Sequence, residues 1–149
     1  MAKKKVYSDV VEINAPIEKV WDILIDFAEY PQWNPFTYKV ETDLGIGSAV
    51  NLYVKMPRRG KGLQVEYVKE VSAPHTLAWG MTMGAPFLLT ALREQKLTRL
   101  SDNACTYHST DAFTGWLTPL VMGLFAGPIR DGFNSVAYAL KKRAEQDNR

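Results

Sequence analysis

The chain has 149 residues, 46% apolar and 23% charged, a composition that builds a core of its own and excludes global disorder. Its 18 Lys and Arg against 16 Asp and Glu leave a net charge of +2, too even a balance for a protein that must neutralise several phosphates, so no nucleic acid partner is expected. One cysteine, Cys105, and two histidines, His75 and His108, exclude an intrachain disulfide and a Cys/His zinc site, and no metal is expected.

At this length one domain over 1–149 is expected. Residues 1–5, Met-Ala-Lys-Lys-Lys, read as a basic solvated tail. Val6 to Ile13 is rich in β-branched residues and reads as a strand; Ser8, Asp9 and Glu12 within it leave no apolar signal-peptide core, so a cytoplasmic location is expected. The strand stops at Asn14-Ala15-Pro16, and Pro16 suits the first position of a helix. Short helices are expected over 16–34, because Ile17, Val20, Trp21, Leu24 and Ala28 recur at helical spacing while Glu18, Lys19, Asp22 and Asp26 fall on other faces. Pro31 and Pro35 bracket a turn at Gln32-Trp33-Asn34.

Over 37–113 the period changes to two. Strand-like runs at 37–42, 49–56, 62–71, 76–83, 87–99 and 105–113 are separated by short Gly-, Pro-, Asn- and Asp-bearing turns, which predicts antiparallel neighbours. Val50, Leu52, Val54 and Met56, and then Leu77, Trp79, Met81 and Met83, alternate with more polar positions and give the sheet one apolar face. Helical spacing returns over 116–146, through Leu117, Val121, Leu124, Ile129, Phe133, Val136, Ala137 and Leu140 to the cations Lys141-Lys142-Arg143. Gly127-Pro128 inside that span predicts a kink or two helices end to end. Gly115 to Ile129 carries no charge and is broken by Pro119 and Pro128, too short a run to span a bilayer. It reads as a buried helix face; the competing reading is a transient membrane contact through 115–129. The order of elements predicts an α+β fold in which a curved antiparallel sheet of about seven strands wraps a long C-terminal helix and encloses a cavity.

The run Ala15-Pro16-x3-Val20-Trp21-x2-Leu24-x-Asp26-Phe27-x2-Tyr30-Pro31-x-Trp33-Asn34-Pro35 resembles the opening signature of the START-like, SRPBCC or polyketide cyclase/dehydrase superfamily, which includes the birch-pollen-allergen relatives. The resemblance extends through Phe113-Thr114-Gly115 to Gly132-Phe133 and Ala139-Leu140-Lys141. It implies the helix-grip fold and a cavity for an apolar small molecule, lipid-like, polyketide or aromatic. Relatives often end their last strand in His-x-Glu-x-Phe; here it reads Ser109-x-Asp111-x-Phe113, without the histidine that would suit a proton-transfer enzyme.

The hairpin of 87–99 and 105–113 carries the candidate polar groups. A turn at Ser101–Asn103 sets Arg93 opposite Asp111, Gln95 opposite Ser109 and Leu97 opposite Tyr107, and the apolar members Leu97 and Phe113 mark this face as inward. A slip of one residue would turn Glu94, Lys96 and His108 inward instead. Arg93 and Asp111 read either as a structural ion pair or as a polar anchor for a ligand, with Gln95, Tyr107 and Ser109 adding hydrogen bonds. Leu52, Trp79, Met81, Leu97, Phe113, Leu117, Val121 and Phe125 are the expected apolar wall. His75 is expected to be exposed and Cys105 to be a core residue. Gly45-Ile46-Gly47 lacks the third glycine and the helix of a phosphate loop, so no cofactor is expected. The leading expectation is a carrier or sensor of one hydrophobic small molecule. The alternative is a polyketide cyclase/aromatase or dehydratase using Arg93, Tyr107 and Asp111 as catalytic candidates, and a third reading is an interaction module acting through 116–129. The sequence leaves the oligomeric state open.

Overall fold

The computed structural model describes residues 3–146. An open, curved antiparallel sheet of eight strands carries one long helix on its concave face. In chain order the elements are β1 (Lys4–Tyr7), β2 (Val11–Ile13), α1 (Ile17–Ile25), a 3-10 turn (Phe27–Glu29), α2 (Tyr30–Trp33), β3 (Thr37–Glu41), β4 (Ala49–Met56), β5 (Gly60–Ser72), β6 (Thr76–Met83), β7 (Leu89–Ser101), β8 (Ala104–Thr114) and α3 (Thr118–Gln146). The strand order is β1-β8-β7-β6-β5-β4-β3, with β2 also on β8. This is the helix-grip α+β architecture, and the meander follows from connections too short for anything but antiparallel pairing.

The start differs from expectation in two ways. Lys4 and Lys5 pair with Phe113 and Ala112, so they belong to the sheet rather than to a tail, whose first two residues lie outside the described ones. The expected single strand is two: Tyr7 faces Thr110 but Val11 faces Tyr107, so one extra residue bulges out between them. Buried Ser8 sits at this point and its Oγ accepts the Ser109 N–H, while the Asp9 N–H turns to Asn134 Oδ1 on α3. α2 is one of the short helices expected over 16–34, and it takes in Gln32 and Trp33, where a turn was expected. Pro31 is tolerated in its first turn, where its missing N–H has no intrahelical acceptor, and Asn34 Oδ1 then accepts the N–H groups of Phe36 and Thr37.

β7 and β8 settle which face points inward. Leu89, Ala91, Arg93, Gln95 and Leu97 are buried, as are Cys105, Tyr107, Ser109 and Phe113. Glu94 and Lys96 pair with each other on the outer face, and His108 stacks there on Tyr7. The expected turn at Ser101–Asn103 is instead Asp102-Asn103, with an irregularity between Arg99 and Ser101 that leaves the register beyond it intact.

α3 is one helix, not two, although Pro128 lies inside it. Proline removes the N–H that would bond the carbonyl of Leu124 one turn back. Arg59, from the β4–β5 turn, donates both Nε and Nη2 to that carbonyl, and its guanidinium lies over the Phe125 ring. Neighbouring Arg58 pairs with Asp131 at 2.8 Å. Nearly all the buried residues of α3 lie from Pro128 onward: Ile129, Gly132, Phe133, Val136, Ala137, Leu140 and Ala144. Gly132 faces Phe36, which meets Phe133 edge-on at 5.9 Å between centroids. A Cβ at 132 would overlap the Phe36 ring. Gly132→Ala is therefore expected to lower the urea midpoint by an overpacking cost of about 1–3 kcal/mol, against the small gain that alanine gives an unhindered helix position. Equilibrium denaturation checks the sign.

Candidate functional site

Three connections gather at one end of the sheet: the β4–β5 turn, the β6–β7 loop and the β8–α3 junction. The junction turns sharply at Gly115, whose φ of 110° and contact with the Leu88 carbonyl leave no room for a Cβ; the next two N–H groups bond the carbonyls of Phe87 and Leu88. The opposite end is closed by α1, which packs on β7 and ties Glu18 to Arg99. Between the first half of α3 and the concave face lies a cavity of about 410 Å³. Its apolar wall comes from Leu52, Val54 and Met56 on β4, Trp79, Met81 and Met83 on β6, Leu89 and Ala91 on β7, Phe113 on β8, and Val121, Phe125, Ile129 and Phe133 on α3, with Phe36 beside Thr37. Leu63 and Val65 on β5 also line it, and with Met83 they are its exposed apolar residues, at 54%, 44% and 49%, and mark where it opens.

Of the expected wall, Leu52, Trp79, Met81, Phe113, Val121 and Phe125 line the cavity, as do Arg93 and Asp111. Gln95, Leu97, Tyr107, Ser109 and Leu117 do not. The first four lie further along β7 and β8 toward the closed end and are packed solid; Leu117 is half-buried where the helix begins. They still shape the site from behind. Tyr107 Oη donates to Gln95 Oε1 at 2.6 Å, and Ser109 Oγ accepts from Arg93 Nε at 3.3 Å. Arg93 is further held with its guanidinium 4.4 Å from the Phe133 ring centre.

Asp111 is directly across the ladder from Arg93, yet the two side chains do not close into an ion pair, which corrects the structural ion-pair reading. Asp111 Oδ1 is buried without a hydrogen-bond partner. Burial pushes its carboxyl up to about 7, although Arg93 pulls the other way. Glu66, on β5, also lines the cavity; burial first and Asp111 second push it up to about 8, again against Arg93. Glu66 and Gln64 escape the sequence pattern because the alternation of β5 is inverted: apolar Leu63, Val65 and Tyr67 are exposed, and the polar residues between them read as the solvated face. The signal was in the neighbouring strand: Gln64 pairs with Leu52 and Glu66 with Val50, both inward positions. Two carboxyls that titrate near neutrality beside one fixed cation can hold or release a proton inside an apolar chamber.

The remaining candidates are elsewhere. His75 is exposed, its Nδ1 3.3 Å from the Leu97 carbonyl. Cys105 is fully buried, and burial pushes its thiol up to about 11. Among the described residues no group of three or more His, Cys, Asp or Glu is placed to hold a metal ion, and no helix is long and apolar enough to cross a membrane.

A family model described as polyketide cyclase/dehydrase and lipid transport matches residues 5–145. The chain belongs to this family. The polyketide cyclase/dehydrase and lipid transport fold is also seen in solved structures. A START superfamily protein from Mycobacterium smegmatis is 22% identical, with a TM-score of 0.71 over 95% of this chain and 97% of that one. Norcoclaurine synthase from Thalictrum flavum, a point mutant with a transition-state analogue, is 16% identical with a TM-score of 0.73 over 99% and 98%. An aromatase/cyclase from a Streptomyces strain is 23% identical with a TM-score of 0.70 over 99% and 97%. At these identities the likeness shows the shared fold alone. No curated protein matches the sequence.

The two raised carboxyls fix a sign for stability against pH. An unfolded Asp or Glu releases its proton near 3.8 or 4.5, whereas folded Asp111 and Glu66 keep theirs to about 7 and 8. Between those values the folded state binds more protons, so stability falls as pH rises through that window. Asp111→Asn and Glu66→Gln are each expected to flatten this fall in denaturation midpoints measured from about pH 4 to about pH 9, the span of both titrations.

Proposed function

We propose that the protein takes up one mostly apolar small molecule, lipid-like, polyketide or aromatic, and sets its polar group against Arg93, Asp111 and Glu66. The observation that carries this reading is the cluster of Arg93, Asp111 and Glu66 at the wall of a largely apolar cavity of about 410 Å³, a volume within the usual range for small-molecule sites. Apolar walls give affinity without direction; a fixed guanidinium and an unpartnered carboxyl oxygen give orientation. The family description, which names both lipid transport and cyclisation, is compatible with a carrier or sensor.

A second reading, a cyclase/aromatase or dehydratase, is favoured by the titration of Asp111 and Glu66 close to neutral pH, where a group serves equally as acid and base. In that case Asp111 and Glu66 exchange the proton and Arg93 faces developing enolate charge. Tyr107, committed to Gln95 behind the wall, is a positioning residue instead of a proton donor.

Native mass spectrometry of freshly purified protein, then denaturation and identification of whatever is released, separates these readings. The carrier predicts a stoichiometric apolar molecule with one polar end, and Arg93→Met is expected to weaken its rebinding by about 10–100-fold, the range of a charged hydrogen bond. An empty protein that also fails to bind a fluorescent apolar probe would remove the binding proposal. For the enzyme, Asp111→Asn is expected to lower turnover of a reactive polyketide-type chain by roughly 10²-fold or more.

A further inference from the structure

The first half of α3 is apolar but not buried. Trp116 is 67% exposed, Leu120 58% and Leu124 42%, although Leu124 sits on the stripe that sequence periodicity assigned to the core. These positions are spaced i, i+4, i+8 and so form one line along the helix and its entry. Phe87, 51% exposed in the β6–β7 loop, lies against Trp116 with ring centres 5.2 Å apart, and Met83 at the cavity mouth continues the patch. No charge interrupts the chain from Gly115 to Ile129. Beside this patch the β4–β5 hairpin carries Lys55, Arg58, Arg59 and Lys61, four cations in a run without an acidic residue; Arg59 reaches Leu124, while Lys55 and Lys61 face each other across the ladder, with Lys61 Nζ 5.2 Å from the Tyr38 ring centre. Asp131 is the acidic partner, and it meets Arg58 only.

We propose that this end of the molecule docks on a lipid surface bearing anionic head groups, with Trp116, Leu120 and Phe87 entering the interface and the 55–61 hairpin meeting the head groups. The charge arrangement selects this occupant. A core-like protein partner would be met by an apolar patch alone, whereas an apolar ridge with a tryptophan and a cationic margin matches the two layers of a bilayer surface. Topology adds the second argument, since the β4–β5 turn, the β6–β7 loop and the start of α3 all lie at the one end where the cavity opens. A docked molecule therefore presents its mouth to the lipid. The surface proposal stands independently of which molecule the cavity holds.

The test is co-sedimentation of the full chain with vesicles of phosphatidylcholine alone and with about a third phosphatidylserine, at low and high salt. Wild type is expected to bind the anionic vesicles, salt-sensitively, and the neutral ones weakly. Trp116→Ala with Leu120→Ser, and separately Lys55→Glu with Lys61→Glu, are each expected to weaken binding about tenfold or more. All four side chains are exposed, and retention of the wild-type denaturation midpoint checks that the variants fold. Absence of binding to either vesicle, equal binding to both, or concentration-dependent dimerisation abolished by Leu120→Ser without vesicle binding would overturn the proposal.

Discussion

One helix has to cover the concave face of a broad curved sheet, and it cannot touch all of it. From Pro128 onward α3 lies on the sheet and contributes Ile129, Phe133, Val136 and Leu140 to the core. Before Pro128 it stands off, held by the Arg59 bonds to Leu124 and by the backbone bonds at the β8–α3 junction. The space beneath is the cavity. Its walls are the same alternating residues that would have made a solid core had the helix been closer, so the chamber arises from geometry and not from a special set of side chains.

That origin explains the chemistry at its wall. A charge placed in an apolar chamber is costly unless held, and Arg93 is held by Ser109 and by the face of Phe133. The two carboxyls respond to the same environment by retaining protons. With Arg93 charged and one acid ionised the cluster is neutral; with both ionised it carries a single negative charge. Its charge state can thus follow that of whatever enters, by the gain or loss of a proton rather than by rearranging the wall.

Much of this was legible in the residues. Alternation at Val50 to Met56 and at Leu77 to Met83 gave the strands and their inward faces, and Leu97 and Phe113 placed Arg93 and Asp111 on the inner side of the hairpin. What periodicity could not supply was depth. Gln95, Leu97, Tyr107 and Ser109 share a face with Arg93, but α1 and the second half of α3 fill the space over them. Glu66 was hidden because the apolar face of its strand, Leu63, Val65 and Tyr67, points outward, and its own inward position follows only from pairing with β4. The bulge at Ser8 was equally silent, since an extra residue in a β-branched run leaves composition unchanged.

Cys105 has a practical corollary. It is the sole thiol of the sequence, it is fully enclosed between β2 and β7, and its proton stays on at neutral pH. Thiolate is the reacting form, so maleimide and spin-label reagents meet a native protein with almost no background. A cysteine introduced at any exposed position becomes a uniquely addressable reporter, and distances between the hairpin tip and the helix can be read in solution without first deleting a native residue.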